Sequence, residues 1–188
     1  MKASSIESAI RAPISSFHLG RIRRIDTEDF APVKKKVVQM LAERGIVVDD
    51  DYLERGIFAL KQYYAVALLD PNNSHAVSDV VDPFWHAHML FSQRYAAFCA
   101  DVVGVYMHHF PLDHDDHSQL QNVAVLYPFT VEVMSRLFDL VDPEFWPTNV
   151  ADQRLICMHK GNQGVYDDRV YQHALLPPDA RGVNHAFV

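Results

Sequence analysis

Residues 49–69 read DDDYLERGIFALKQYYAVALL, and this stretch decides the fold class. The three aspartates at its start supply side-chain oxygens that cap a helix, and apolar residues then recur at helical spacing over several turns. These apolar positions are Leu53, Ile57, Leu60, Tyr63, Tyr64, Val66 and Leu69. The pattern predicts a long helix with a broad apolar side.

The flanking segments carry helix signals as well. Capping residues at 26–29 and apolar residues at helical spacing predict a helix that stops near Gly45. Asp82-Pro83 predicts another start, with an oxygen cap followed by proline at the first helical position. This helix either continues to Val103 or breaks where Ser92 caps a second one, and both alternatives stay open.

Two more helices are expected beyond residue 111. One is capped by Ser118 and runs towards Leu126, and the next opens at Thr130 and carries apolar residues as far as Leu140. Strand patterns are scarce, and only 154–158 suggests a short strand. The chain is therefore expected to be all-α: a compact domain of about six helices with an irregular C-terminal tail.

Length and composition are those of an ordinary globular domain. The 188 residues are 49% apolar and 22% charged, enough for one sizeable core. We expect residues 1–188 to form a single domain. It divides into an N-terminal arm at 1–25 with at most one short helix, a helical core at 26–145 and the tail at 146–188.

Charge and cysteine content limit the function classes. The formal net charge of −7 argues against a nucleic-acid partner, and the basic runs at 21–24 and 34–36 are short. Two cysteines cannot build a disulfide framework, and no apolar window is long enough for a membrane helix. A cytoplasmic protein with no membrane partner is expected, and its oligomeric state is left open. Gly-rich phosphate loops and Gly-x-Ser-x-Gly motifs are absent.

The chemistry of the chain concentrates in two histidine-rich stretches. Residues 81–88 read VDPFWHAH, and residues 104–111 read GVYMHHFP. Together they place four imidazoles and one carboxylate among bulky apolar residues. Neutral imidazole is a common ligand of zinc, iron and copper, and it titrates near physiological pH. The two stretches therefore predict a partly dry pocket that holds a divalent metal ion.

Side-chain geometry limits which of the four candidate ligands converge. His86 and His88 point about 200° apart on a straight helix, and His108 and His109 point to opposite sides of an extended segment. A metal site is therefore expected to draw one residue from each pair. Its remaining donor is expected from Cys99, Asp82 or His114.

Several of these residues have a plainer interpretation. Histidines among aromatic residues are often hydrogen-bonded core residues. Cys99 lies between Phe98 and Ala100, which favours a buried inert thiol over a ligand or redox group. His114 belongs to a loop rich in Asp and His, for which a solvated loop is the favoured interpretation.

Residues 81–111 resemble the family of glycine-rich domain-containing proteins. The family pattern is Val-Asp-x-x-Trp-His-x-His, then Tyr-x-x-x-Cys, then a glycine and His-His-x-Pro. The matching positions are Val81, Asp82, Trp85, His86, His88, Tyr95, Cys99, Gly104, His108, His109 and Pro111. Phe98 stands where the pattern has an acidic residue, and the glycine-rich tail of some members is absent. The resemblance implies that these positions form one site, but it names no substrate.

The leading hypothesis is a metal-binding protein. Its more specific form is a small metalloenzyme that acts on a small polar substrate. Its candidate ligands are His86, His88, His108 and His109, supported by Asp82, Tyr95, Cys99 and His114. The alternative from another class is a non-catalytic helical interaction module whose histidines are structural. A pH sensor built on the same cluster is a third hypothesis.

Overall fold

The computed structural model describes residues 5–111, 115–148, 157–159 and 168–178. This part of the chain forms eight helices and three strands of two or three residues, which confirms the mainly helical prediction. The helices are α1 (Ile6–Ala9), α2 (Ser16–Thr27), α3 (Ala31–Ala42), α4 (Asp50–Leu69), α5 (Asp82–Met89), α6 (Ser92–Val102), α7 (His117–Leu137) and α8 (Asp168–Gln172). The strands are β1 (His75–Val77), β2 (Phe110–Pro111) and β3 (Cys157–His159).

Helix α4 is the centre of the fold, and it confirms the helix predicted from residues 49–69. Asp49 caps it, since the Oδ1 atom accepts a hydrogen bond of 2.8 Å from the Tyr52 amide. Every residue from Gln62 to Leu69 is buried, so the second half of α4 is covered on all sides. The buried apolar residues that surround it belong to one cluster in the described part of the chain.

The N-terminal segment is more helical than the predicted arm. Ser15 caps α2, and Ile22 and Ile25 on that helix are fully buried in the core. The prediction that a helix begins at residues 26–29 is therefore wrong, because α2 extends to Thr27 and the N-cap position of α3 is Phe30. Helix α3 starts at Ala31 and is followed by Gly45 with a φ of +74°, as expected for the end of a helix.

The structure decides two helix boundaries, one that the sequence left open and one that it predicted wrongly. Helices α5 and α6 are separate, with the break at residues 90–91, but Ser92 is the first residue of α6 and makes no capping bond. The two helices predicted around Ser118 and Thr130 are a single helix, α7, which contains Pro128. Thr130 does not open a helix, because its hydroxyl donates a hydrogen bond of 2.9 Å to the Leu126 carbonyl one turn back.

The short strands form an antiparallel sheet in the order β1-β3-β2. Met158 in β3 pairs with Ala76 in β1 on one side and with Phe110 in β2 on the other. The strand predicted at 154–158 thus appears at its C-terminal end, and residues 154–156 lie outside the described residues. A segment from the tail therefore holds the start of β2, which directly follows His109.

Among the helices of the described residues, none combines the length and the apolar content needed to cross a membrane.

Candidate metal centre

Helix α5 supplies two of the clustered groups. Asp82 is its first residue and His86 lies one turn later, so both side chains occupy the same face. Asp82 does not act as the predicted helix cap, since the cap position is Val81 and no side chain caps it. Ser78 holds this start instead, because its hydroxyl accepts from the Val81 amide and donates to the Phe145 carbonyl. The Asp82 carboxylate is therefore directed into the site, where 4% of the side chain is exposed.

The third group, His109, is positioned by a chain of buried hydrogen bonds. The Trp85 indole N–H donates to the Tyr95 hydroxyl at 2.8 Å, and that hydroxyl donates to the Met107 carbonyl at 2.8 Å. The Trp85 ring also lies against the His109 ring, with centroids 5.1 Å apart. These contacts fix the extended segment before β2 onto α5 and α6.

Three donor groups converge where these elements meet. The Nε2 atoms of His86 and His109 are 2.6 Å apart, and His109 Nε2 is 3.0 Å from Asp82 Oδ1. His86 Nδ1 is 3.6 Å from Asp82 Oδ2. Ligand atoms bound tetrahedrally to one zinc ion at about 2.0–2.2 Å lie about 3.3–3.6 Å from each other, between the shortest distances here and the 4.8 Å limit of the group. With one ligand atom from each residue all within 4.8 Å, the trio has the spacing of a metal-binding group.

The tautomer of His109 determines how the three groups can bond to one another. A neutral imidazole has one N–H and one bare nitrogen. If His109 Nε2 carries the proton, that proton is shared between two acceptors; if it is bare, its lone pair faces the Asp82 oxygen. A cation placed among the three donors would be a good partner for all of them.

The charge state of His86 suits a metal ligand. Burial lowers the pKa of His86 below its usual value, Asp82 opposes that shift, and His109 and Arg44 add to it. A lowered pKa keeps the ring neutral at pH 7, with a lone pair free for a metal. The His86 side chain is 38% exposed and that of His109 is 10% exposed, so the site opens to solvent on the His86 side.

The other two candidate ligands point elsewhere. His88 is buried among aromatic rings, its Nδ1 lies 2.8 Å from the Tyr64 hydroxyl, and its Nε2 has no hydrogen-bond partner. Burial lowers the pKa of His88 to about 4. His108 is exposed and contacts the rings of Tyr106 and Phe110. One member of each histidine pair thus lies in the trio and the other lies outside it.

The residues that were expected to support the site differ in their positions and roles. Tyr95 is part of the bond chain that positions His109. The Cys99 thiol is buried, which raises its pKa to about 11, so it is neither a thiolate nor part of the trio. His114 lies outside the described residues. Ser78 was not singled out from the sequence, because it acts through a contact with Phe145, 67 residues along the chain. Arg44 was not singled out either, because it influences His86 only through the charge of its side chain in the folded chain.

Comparison with known proteins places the chain in a family. No curated protein and no solved structure matches it significantly. The model of the UCP032817-like family matches residues 21–132, which include all three members of the trio and the helices that carry them. That family name does not mention a glycine-rich domain, so the resemblance to such proteins stays a prediction. Because the match covers more than half of its residues, the chain belongs to the UCP032817-like family.

Proposed function

We propose that this protein binds a divalent first-row metal ion through Asp82, His86 and His109. The observation that carries the proposal is the position of His109 Nε2, within hydrogen-bond distance of both His86 Nε2 and Asp82 Oδ1. Each of these three groups can offer an electron pair to a cation placed between them. Two imidazoles and one carboxylate are a donor set used for catalytic zinc and for non-haem Fe(II).

We further propose that the site is catalytic. Three protein ligands leave coordination positions open, and the exposed side of His86 gives solvent and a small polar substrate a way in. A bound divalent ion would polarise a carbonyl group or activate water there. Trp85 packs against the His109 ring and holds that ligand in position. The single carboxylate of Asp82 would partly balance the charge of the ion. The resemblance to glycine-rich domain-containing proteins supports treating these positions as one site.

The decisive test is elemental analysis of protein expressed without a histidine tag. We expect close to one metal ion per chain. The variants His86→Ala, His109→Ala and Asp82→Asn should each lose it, because two remaining donors hold an ion weakly. His108→Ala is the matched control, since His108 adjoins His109 but is exposed and outside the trio.

Two results would contradict the proposal. One is wild-type protein without stoichiometric metal after incubation with Zn²⁺ or anaerobic Fe²⁺. The other is a His108→Ala variant that loses as much metal as His109→Ala. Buried His88, bonded to Tyr64, favours the structural alternative for that histidine alone, so an interaction module remains the second candidate if no metal binds.

A further inference from the structure

We propose that Arg44 binds the anionic group of the substrate, so that the metal centre acts on a small organic anion. This inference rests on the proposed function and deepens it. Arg44 lies just beyond α3, in the turn where Gly45 adopts a φ of +74°. Two backbone hydrogen bonds hold that turn. The Gly45 amide donates to the Ala42 carbonyl, and the Ile46 amide donates to the Leu41 carbonyl.

The packing of α3 on α5 brings this turn to the site. Phe30, at the N-terminal end of α3, contacts His88 near the end of α5, with ring centroids 5.2 Å apart. Helix α3 packs on α5 from there. Lys34 on α3 pairs with Glu54 on α4, and Gly56 on α4 faces Phe84 near the start of α5. Helix α3 therefore runs from the end of α5 towards its start, where Asp82 lies. Twelve helical residues span about 18 Å and eight span about 12 Å, so α3 extends past the first turn of α5, and the turn that holds Arg44 follows at that end. The Arg44 charge contributes to the lowering of the His86 pKa, which accords with a position on that side of the site.

Arg44 is an exposed cation without a carboxylate partner among the described residues. Most other arginines in that part of the chain form ion pairs with carboxylates, as Arg55 does with Asp142 and Arg94 does with Glu28. A guanidinium is well shaped to bind a carboxylate or phosphate through two hydrogen bonds.

The charge at the metal centre points to the same ligand class. Imidazoles that bind a metal are neutral ligands, so a bound divalent ion would exceed the Asp82 carboxylate by one positive charge, and Arg44 adds another. This positive site lies in a chain whose net charge is −7. An anion that bridges the ion and the guanidinium would neutralise it.

Apolar side chains beside the site indicate an organic anion. Leu90, one turn after His86 on α5, is 62% exposed, and Ile46, two residues after Arg44, is 47% exposed. Exposed apolar surface of this kind can cover the hydrocarbon part of a ligand whose charged group faces Arg44.

The test uses Co²⁺-loaded protein and two probes of the same shape, hexanoate and the neutral hexanamide. We expect hexanoate to change the cobalt absorption spectrum at lower concentration than hexanamide. In Arg44→Gln the Kd for hexanoate should rise by about tenfold to a hundredfold, the range for a charge-assisted hydrogen bond. Arg44→Lys should fall between the two. Lys35→Gln is the matched control, because it removes one exposed cation from α3, the helix that precedes Arg44.

Each outcome distinguishes the two proposals. Normal cobalt binding with equal hexanoate affinity in wild type and Arg44→Gln would overturn the role of Arg44 and leave the metal centre standing. Equal binding of hexanoate and hexanamide would do the same. An absence of cobalt binding in the wild-type protein would overturn the metal centre, and the anion site with it.

Discussion

At the scale of single residues, the candidate site depends on groups that never touch a ligand. Tyr95 is the central link, since it accepts from the Trp85 indole and donates to the Met107 carbonyl, two residues before His109. Both of those partners would be left buried and unpaired if the hydroxyl were removed. Tyr95 is therefore a positioning residue for His109.

The variant Tyr95→Phe tests this role. We expect the free energy of unfolding to fall by about 1–3 kcal/mol, because a buried donor and acceptor lose their partner. The Kd of the folded protein for Zn²⁺ should rise by about tenfold, as for lost outer-shell contacts at metal sites. Denaturant unfolding and a zinc competition assay measure the two effects.

Tyr106→Phe is the control for that experiment, because Tyr106 is exposed and contacts the Tyr95 ring. Its stability should change by less than about 0.5 kcal/mol and its zinc affinity should not change. A Tyr95→Phe protein that loses stability but keeps wild-type zinc affinity would assign Tyr95 to the core alone.

At the scale of helices and strands, close packing between α4 and α5 sets the position of the site. Gly56 on α4 faces Phe84 on α5, and a Cβ atom at residue 56 would lie 2.1 Å from the end of the Phe84 ring. Phe84 is fully buried and also contacts the rings of Tyr52 and Phe145, which limits its freedom to move. The glycine therefore lets α5 approach α4 closely.

The pair Gly56→Ala and Gly20→Ala separates packing from helix propensity. Alanine favours a helix over glycine by up to about 1 kcal/mol at either position. Gly20 on α2 has open space around it, so Gly20→Ala should raise the free energy of unfolding by about 0.5–1 kcal/mol. Gly56→Ala should lower it by about 1–3 kcal/mol because of overpacking. Thermal or urea unfolding measures both, and a stabilised Gly56→Ala protein would contradict the packing argument.

At the scale of the whole molecule, a buried histidine joins the N-terminal helices to the tail. His18 on α2 is fully buried, and neither ring nitrogen has a hydrogen-bond partner. Its ring meets His173, just after α8, edge-on at 5.8 Å, and Phe17 stacks on His173 at 4.6 Å. Burial, together with His173 and Arg21, lowers the pKa of His18 to about 4.

This lowered pKa predicts how stability depends on pH. Between the unfolded pKa of about 6.5 and the folded value, the unfolded chain binds a proton at His18 and the folded chain does not. The contribution of His18 is therefore complete above pH 6.5 and is lost as the pH falls towards 4, by about 3 kcal/mol at most. His18→Phe, which cannot titrate, should flatten the curve of unfolding free energy against pH in that window.

Urea unfolding at several pH values between 4 and 7.5 measures the curve, and His18→Gln repeats the test with a polar residue. His117→Gln replaces an exposed histidine on α7 and should keep the wild-type slope. If His18→Phe keeps that slope as well, the pH dependence arises elsewhere in the protein.

The sequence by itself determined the helical class, the central helix α4 and the end of α3, because capping residues, glycine and apolar spacing act within a few residues of each other. The same local reasoning indicated that at most one histidine of each pair could enter a common site. The structure brings His86 and His109 together and leaves His88 and His108 apart.

Only the tertiary structure decided which donor completes the trio and where the elements break. Asp82 is drawn into the site because Ser78 and Phe145 hold the helix start, and those contacts cross 67 residues of sequence. Helix α7 continues past Thr130, and β3 inserts between β1 and β2, because long-range packing outweighs local signals. The charge of Arg44 influences His86 in the same way, since the packing of α3 on α5 brings the turn at Arg44, 42 positions from His86 in sequence, towards the start of α5.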